Sequence, residues 1–181
     1  MLGRIYLQAG DGASAEKEFE RARKLNAAAG FWQQDLGRAW LIQGKFNEIL
    51  DNLKEDPSAE PEERLAVLLL RGDAHLGLRQ FEQARTSYRS ASNLNRESQE
   101  AMLGLIMTDL AEEKRSEALN SLDNLLERHP ENATARVLRG EVNLQSGQVE
   151  LASLDFNKAL EQQPENIRAL LGRAGINLSS G

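Results

Sequence analysis

The stretch VLRGEVNLQSGQVELASLDFNKALEQQP, from Val137 to Pro164, reads as two amphipathic helices joined by a tight turn. Arg139-Gly140 falls in the middle of the first helix, Leu144-Gln145-Ser146-Gly147 ends it, and Val149 to Glu161 forms the second. Along that second helix Ala152, Phe156 and Ala159 recur at steps of four and three, so they share one face. The small, large, small order is a packing instruction: alanine lets a neighbouring helix approach closely, and phenylalanine fills the space beside it. Pro164 then closes the unit, and Asn166 is placed to cap the next helix.

The same unit recurs along the chain every 34 residues, with one step of 35. A mid-helix column holds Gly3, Gly37, Gly72, Ile106, Gly140 and Ala174, and the column near the end of that helix is Leu7, Leu41, Leu76, Leu110, Leu144 and Leu178. The alanine opening the second helix is Ala15, Ala84, Ala118 and Ala152, with Ile49 in the second copy. Its large partner is Phe19, Leu53, Tyr88, Leu122 and Phe156. A helix–turn–helix repeating at this period with this Gly, Ala, aromatic, Ala and Pro pattern resembles the tetratricopeptide repeat. The resemblance implies an all-α, right-handed superhelical solenoid of antiparallel helix pairs, about 11 helices in all.

Read this way the chain is a single array, with copies at 1–29, 30–64, 65–98, 99–132, 133–166 and 167–181. The first and last are incomplete, and neither end carries a polar capping repeat, so the expectation is a segment of a longer protein. Gly10-Asp11-Gly12 is a turn, and a loop is expected near Asn26 to Gly30 with Gly30 as the break. The second copy departs from the pattern. Its second helix is expected from Lys45 to about Glu55, ended early by Pro57, with Pro61 followed by Glu62 and Glu63 as a fresh start. The tripeptide Pro-Glu-Asn at 130–132 returns at 164–166 as a paired stop and cap.

Composition fits a helical protein with a packed interior: 40% hydrophobic and 28% charged, with net charge −6 and pI about 5.1. No cluster of Lys and Arg stands out, which argues against nucleic acid and anionic membranes as partners. There is no cysteine, hence no disulfide or thiolate metal site. No apolar run reaches the roughly 18 residues of a membrane span, so no direct membrane insertion is expected.

Catalytic groups are hard to find. His75 takes the place of Tyr6 and Trp40 in earlier copies and reads as a packing residue. His129 precedes Pro130 at a helix C-terminus, where a cation is mildly favoured. Two histidines 54 residues apart without cysteine do not make a zinc site. Acidic residues such as Glu16, Glu18, Glu20, Glu112 and Glu113 read as solvated helix faces, and Gly44-Lys45 lacks a phosphate cradle. The reading is therefore no enzyme, no cofactor and no metal.

In tetratricopeptide proteins the first helix of each pair lines the concave face, and the resemblance implies that a peptide or single helix binds there. One first-helix column is Gln34, Leu69, Leu103, Val137 and Leu171; another is Arg4, Arg38, Asp73, Met107, Glu141 and Gly175. The expected partner-binding residues are Arg38, Leu69, Asp73, Leu103, Met107, Val137, Glu141 and Leu171, with Gly104 and Gly172 widening the groove. The apolar members have a competing reading as packing between first helices. The lysine, arginine and asparagine of the family's peptide-carboxylate clamp are missing, replaced by Leu69, Leu70, Leu103, Leu138 and Glu141, so that specificity is rejected. What is left is a groove apolar in the middle with mixed charge at its margins.

The wording LGRIYLQAGDGASAEKEFERA (2–22), LIQGKFNEILDNL (41–53) and RGDAHLGLRQFEQARTSYRSA (71–91) is similar to the long repeat lipoproteins of bacterial exosortase (PEP-CTERM) exopolysaccharide systems. That resemblance implies a periplasm-facing or outer-membrane scaffold for export or protein sorting; without it, the cytoplasm is the expected location. A protein-binding scaffold is the first functional reading. An architectural spacer with end-to-end self-association of the uncapped helices is the second, and a regulatory domain of a larger protein the third.

Overall fold

The computed structural model describes residues 2–25 and 29–179, which form eleven helices with no strand among them. They are α1 (Leu2–Gln8), α2 (Gly12–Lys24), α3 (Ala29–Ile42), α4 (Phe46–Asn52), α5 (Pro61–Gly77), α6 (Phe81–Leu94), α7 (Gln99–Ala111), α8 (Arg115–Arg128), α9 (Ala133–Gln145), α10 (Val149–Gln162) and α11 (Ile167–Ser179). The chain divides into two compact units, 1–108 and 109–181. Of the loop expected near Asn26 to Gly30, residues 26–28 lie outside the described ones. Gly30 is no break, because α3 has already begun at Ala29.

One turn serves every hairpin. Gly10, Gly44, Arg79, Glu113 and Gly147 all have positive φ, between 58° and 76°. In each case the residue's N–H bonds back to the carbonyl of the invariant leucine column, as in Gly147 N to Leu144 O at 3.0 Å. The next N–H reaches one residue further, as in Gln148 N to Asn143 O at 2.8 Å. These paired bonds form a Schellman motif, which satisfies the last carbonyls of the first helix and reverses the chain. Three of the junctions between hairpins use side-chain caps, Ser98 at the start of α7 among them, whereas Glu60 before α5 makes none. Asn132 accepts from Ala135 N at 2.8 Å and Asn166 from Ala169 N at 3.1 Å, so both Pro-Glu-Asn tripeptides cap as expected.

In unit 1 the core is built from Ala15, Phe19, Leu36, Ala39, Trp40, Ile49, Leu53, Val67, Leu70 and Ala74, with Tyr88 fully buried near Gly72 and Gly104. In unit 2 Ala133, Val137, Ala152, Phe156, Ala159, Ala169 and Ile176 pack together. A Cβ built on Gly140 would come within 2.8 Å of the Phe156 ring, and one on Gly172 within 2.5 Å. Gly72 and Gly104 stand in the same relation to Tyr88. The expectation that Gly104 and Gly172 widen a groove is therefore wrong. They are small because an aromatic ring from the preceding second helix occupies the space where their side chains would be. Where the second helix carries Leu53 or Leu122 instead, the following first helix carries Leu70 or Leu138 at that position.

The second copy also differs from expectation. α4 ends at Asn52, short of Glu55 and well before Pro57. Leu53 is extended (φ −97°, ψ 94°) yet buried, and Arg71 of α5 donates from Nη1 to the carbonyls of Leu50 at 3.0 Å and Leu53 at 2.8 Å. A guanidinium thus takes over carbonyls that a shortened helix leaves without partners. Pro61 opens α5 as expected, at its first residue.

Glu16 does not lie on a solvated face. Its carboxylate accepts from Trp40 Nε1 at 2.9 Å, Gln43 Nε2 at 2.7 Å and Lys45 Nζ at 2.6 Å, tying α2 to α3 and the turn after it. Burial opposes ionisation there, but the bonds from Lys45, Gln43 and Trp40 outweigh it and hold the carboxyl below its ordinary value. Glu113 occupies the positive-φ turn site rather than a helix face.

Candidate functional site

Within unit 1 a groove of about 450 Å3 lies along the first helices. α3 contributes Gln34, Arg38 and Leu41; α5 contributes Glu62, Leu65, Ala66, Leu69, Leu70 and Asp73; α7 contributes Glu100. The period of the helix sets this lining, since Glu62, Ala66, Leu69 and Asp73 advance by three or four residues along one face of α5, with Leu65 beside them. The floor is leucine and alanine, and the polar groups sit among and around them.

The polar groups have unequal partners. Arg38 donates to Asp35 at 3.2 Å, and the same buried carboxylate takes Arg4 Nε at 2.5 Å. Asp73 accepts from the Tyr88 hydroxyl at 2.7 Å. Burial raises the Asp73 carboxyl above its ordinary value while the Tyr88 bond opposes the shift, and the Tyr88 phenol is pushed up in turn by its own burial and by the carboxylate. The lining thus brings three carboxylates, Glu62, Asp73 and Glu100, against one guanidinium already shared with Asp35.

Of the residues expected from sequence to face a partner, the groove brings together Arg38, Leu69 and Asp73. Leu103 and Met107 lie on α7 outside its lining; Leu103 is half-buried and Met107 exposed. In unit 2 Glu141 is bound by Arg168 at 2.9 and 2.5 Å, and Leu171 is 67% exposed on α11. Val137 is 1% exposed inside the unit 2 core, so it offers no surface to a partner. The column that seemed uniform by register is divided by burial, because each first helix meets neighbours of different size. Glu62, Leu65 and Ala66 were missed as lining. Leu65 and Ala66 had a signal in the unusually apolar composition of α5 from Leu65 onward, whereas Glu62 had none.

A smaller recess of about 310 Å3 in unit 2 lies among Leu119, Leu151 and Leu154 with Asp123, Arg139 and Asp155. Its charged groups are consumed by one another. Arg139 holds the buried Asp155 through bonds of 2.8 and 2.7 Å and reaches Asp123 at 2.6 Å. Among the described residues no group of three or more His, Cys, Asp or Glu could hold a metal ion, and no helix is long and apolar enough to cross a membrane.

The sequence model of the tetratricopeptide repeat matches residues 1–48, 69–108 and 107–167. The chain belongs to the tetratricopeptide repeat family. TTC0263, a thermophilic TPR protein of Thermus thermophilus, has a similar structure, with a TM-score of 0.84 at 24% identity over 98% of this chain and 96% of that one. YrrB, a TPR protein with an unusual peptide-binding site, gives a TM-score of 0.58 at 21% identity, covering 95% and 88% of the two chains. The TPR2AB domain of yeast Sti1 in complex with pHSP90 gives 0.52 at 15% identity, covering 98% and 81%. At these identities the likeness is one of fold. No curated protein matches the chain in sequence.

Proposed function

We propose that this TPR chain is a non-catalytic interaction module whose unit 1 groove holds a peptide or a single helix of a protein partner. The observation that carries the reading is the continuous leucine and alanine floor of α5, left open between α3 and α7 and bordered by charged side chains. YrrB and the Sti1 domain, which share the fold, are described as binding a peptide or complexed with another protein. Replacement of Leu69 by Asp puts a charge on that floor at a half-buried position. Retained helical signal with lost capture of partner peptides supports the reading; unchanged capture contradicts it. A narrower setting, a bacterial exopolysaccharide or protein-sorting assembly at the periplasmic side, rests on the wording of residues 2–22, 41–53 and 71–91 alone.

A second reading, end-to-end self-association, is favoured by the outward face of α11. Ile167, Leu171 and Leu178 share that face, with Leu178 85% exposed. Ile5 and Leu2 of α1 are exposed as well, so a head-to-tail contact between copies has an apolar surface at each helix. Sedimentation velocity that shows concentration-dependent growth, abolished by Leu171→Asp, supports it. A single monomeric species at all concentrations contradicts it.

A further inference from the structure

We infer that Asp73 anchors a lysine or arginine side chain of the bound segment, so that the groove selects a peptide with one cationic residue flanked by leucine-like side chains. The inference rests on the groove reading above and narrows its occupant.

The argument begins with three aspartates drawn into the helix stack. Asp35 in unit 1 is buried and carries both Arg4 and Arg38. Asp155 in unit 2 is buried and carries Arg139 through two bonds, with Arg136 at 3.9 Å. Asp73 is partly buried too, yet its hydrogen-bond partner is a neutral hydroxyl, that of Tyr88. An ionised carboxylate has acceptor capacity for several donors, and a single hydroxyl leaves most of it unused. Withdrawing a carboxylate from water without a counter-charge is costly, and the other two sites avoid that cost with guanidinium groups from the chain itself. At Asp73 the place of the cation is open to the groove.

The surroundings have the same preference. Glu62 and Glu100 add negative charge to the lining, and Arg38 is committed to Asp35. The net charge of −6 reinforces attraction of a basic segment over distance. Beside Asp73 on α5, Leu69 and Leu70 supply a dry wall along which the methylenes of a lysine or arginine can lie. Within that wall a charge-assisted bond is stronger than at an open surface. An acidic peptide, or one ending in a free carboxylate as its only charge, would meet repulsion instead.

Selection of short random peptides displayed against the intact chain tests this. Enrichment of lysine or arginine at one position, between leucine, isoleucine or methionine, is the expected result. For a peptide so selected, Asp73→Asn should weaken binding roughly tenfold or more and remove the preference for the cation while keeping that for the apolar flanks. Tyr88→Phe, which keeps the ring and frees the carboxylate, should retain the cation preference. Peptides selected for apolar residues with no cationic position, or a cation preference that survives Asp73→Asn, would overturn the anchor and leave the groove reading standing. Failure to capture any peptide would overturn both. If Asp73→Asn loses its helical signal, the wild-type selection alone decides whether the groove wants a cation.

Discussion

Gly104 of α7 faces the ring of Tyr88 on α6 so closely that a Cβ on the glycine would overlap the ring. Tyr88 meets Gly72 of α5 in the same way, so one aromatic side chain fills the space left by two missing ones. Gly104→Ala should destabilise the chain by about 2 kcal/mol through overpacking, although alanine is the better helix former. Combining it with Tyr88→Leu should recover part of that loss, since a leucine needs less room. Chemical denaturation of the two single variants and the double variant gives the coupling, and strict additivity would contradict the ring-in-gap account.

The turn residues make a second prediction. Arg79 and Glu113 hold φ of 58° and 63°, where three equivalent turns use glycine. Glu113→Gly should stabilise the chain by about 0.5–1 kcal/mol, because the left-handed conformation costs a residue with a Cβ more than it costs glycine. Arg79→Gly should gain less, since its guanidinium lies 5.4 Å from the Phe81 ring centroid and that attraction is lost. Thermal unfolding followed by circular dichroism ranks the two.

Glu16 predicts a pH effect. Its folded-state value is lowered from an ordinary 4.5, so the ionised form is bound more tightly by the native state. The stabilisation is complete above the ordinary value and is lost as the pH falls through the lowered one. Glu16→Gln should cost about 1 kcal/mol at neutral pH and much less at about pH 3. Urea midpoints at the two pH values check the sign; a difference that grows on acidification would contradict it.

The Arg139 network separates buried from exposed charge. Arg139→Met leaves Asp155, 2% exposed, with only Arg136 at 3.9 Å, and should cost about 3 kcal/mol. Asp123→Ala removes a partner whose side chain is 56% exposed and should cost less than about 1 kcal/mol. Comparable losses in the two variants would show that the buried pair has no special weight.

How much of this was legible in the sequence follows from the kind of interaction. The hairpins were, because the glycine, leucine and alanine columns repeat at one period and turn chemistry is local. The Schellman turns at Gly10, Gly44 and Gly147 were nearly so, whereas Arg79 and Glu113 occupy the same conformation with no residue-type signal. The contacts between helices were not. Arg71 on the carbonyls of α4, Glu16 under Trp40 and the Asp155 pair join residues 16 to 29 positions apart, at spacings without a local rule. The site was legible by column but not by burial. Arg38, Leu69 and Asp73 share the groove, while Val137, in the same register as Leu69, is sealed in the unit 2 core. Register gives direction on a helix; the size of the neighbours decides whether that direction leads to solvent.

The most direct measurement is a methyl-resolved NMR titration of the intact chain with a peptide chosen by selection against it. If the partner lies in the unit 1 groove, the methyl signals of Leu41, Leu65 and Leu69 shift together and saturate at one peptide per chain. If the shifts fall instead on Leu151 and Leu154 of α10, or on no localised set, the groove is not where this chain meets its partners.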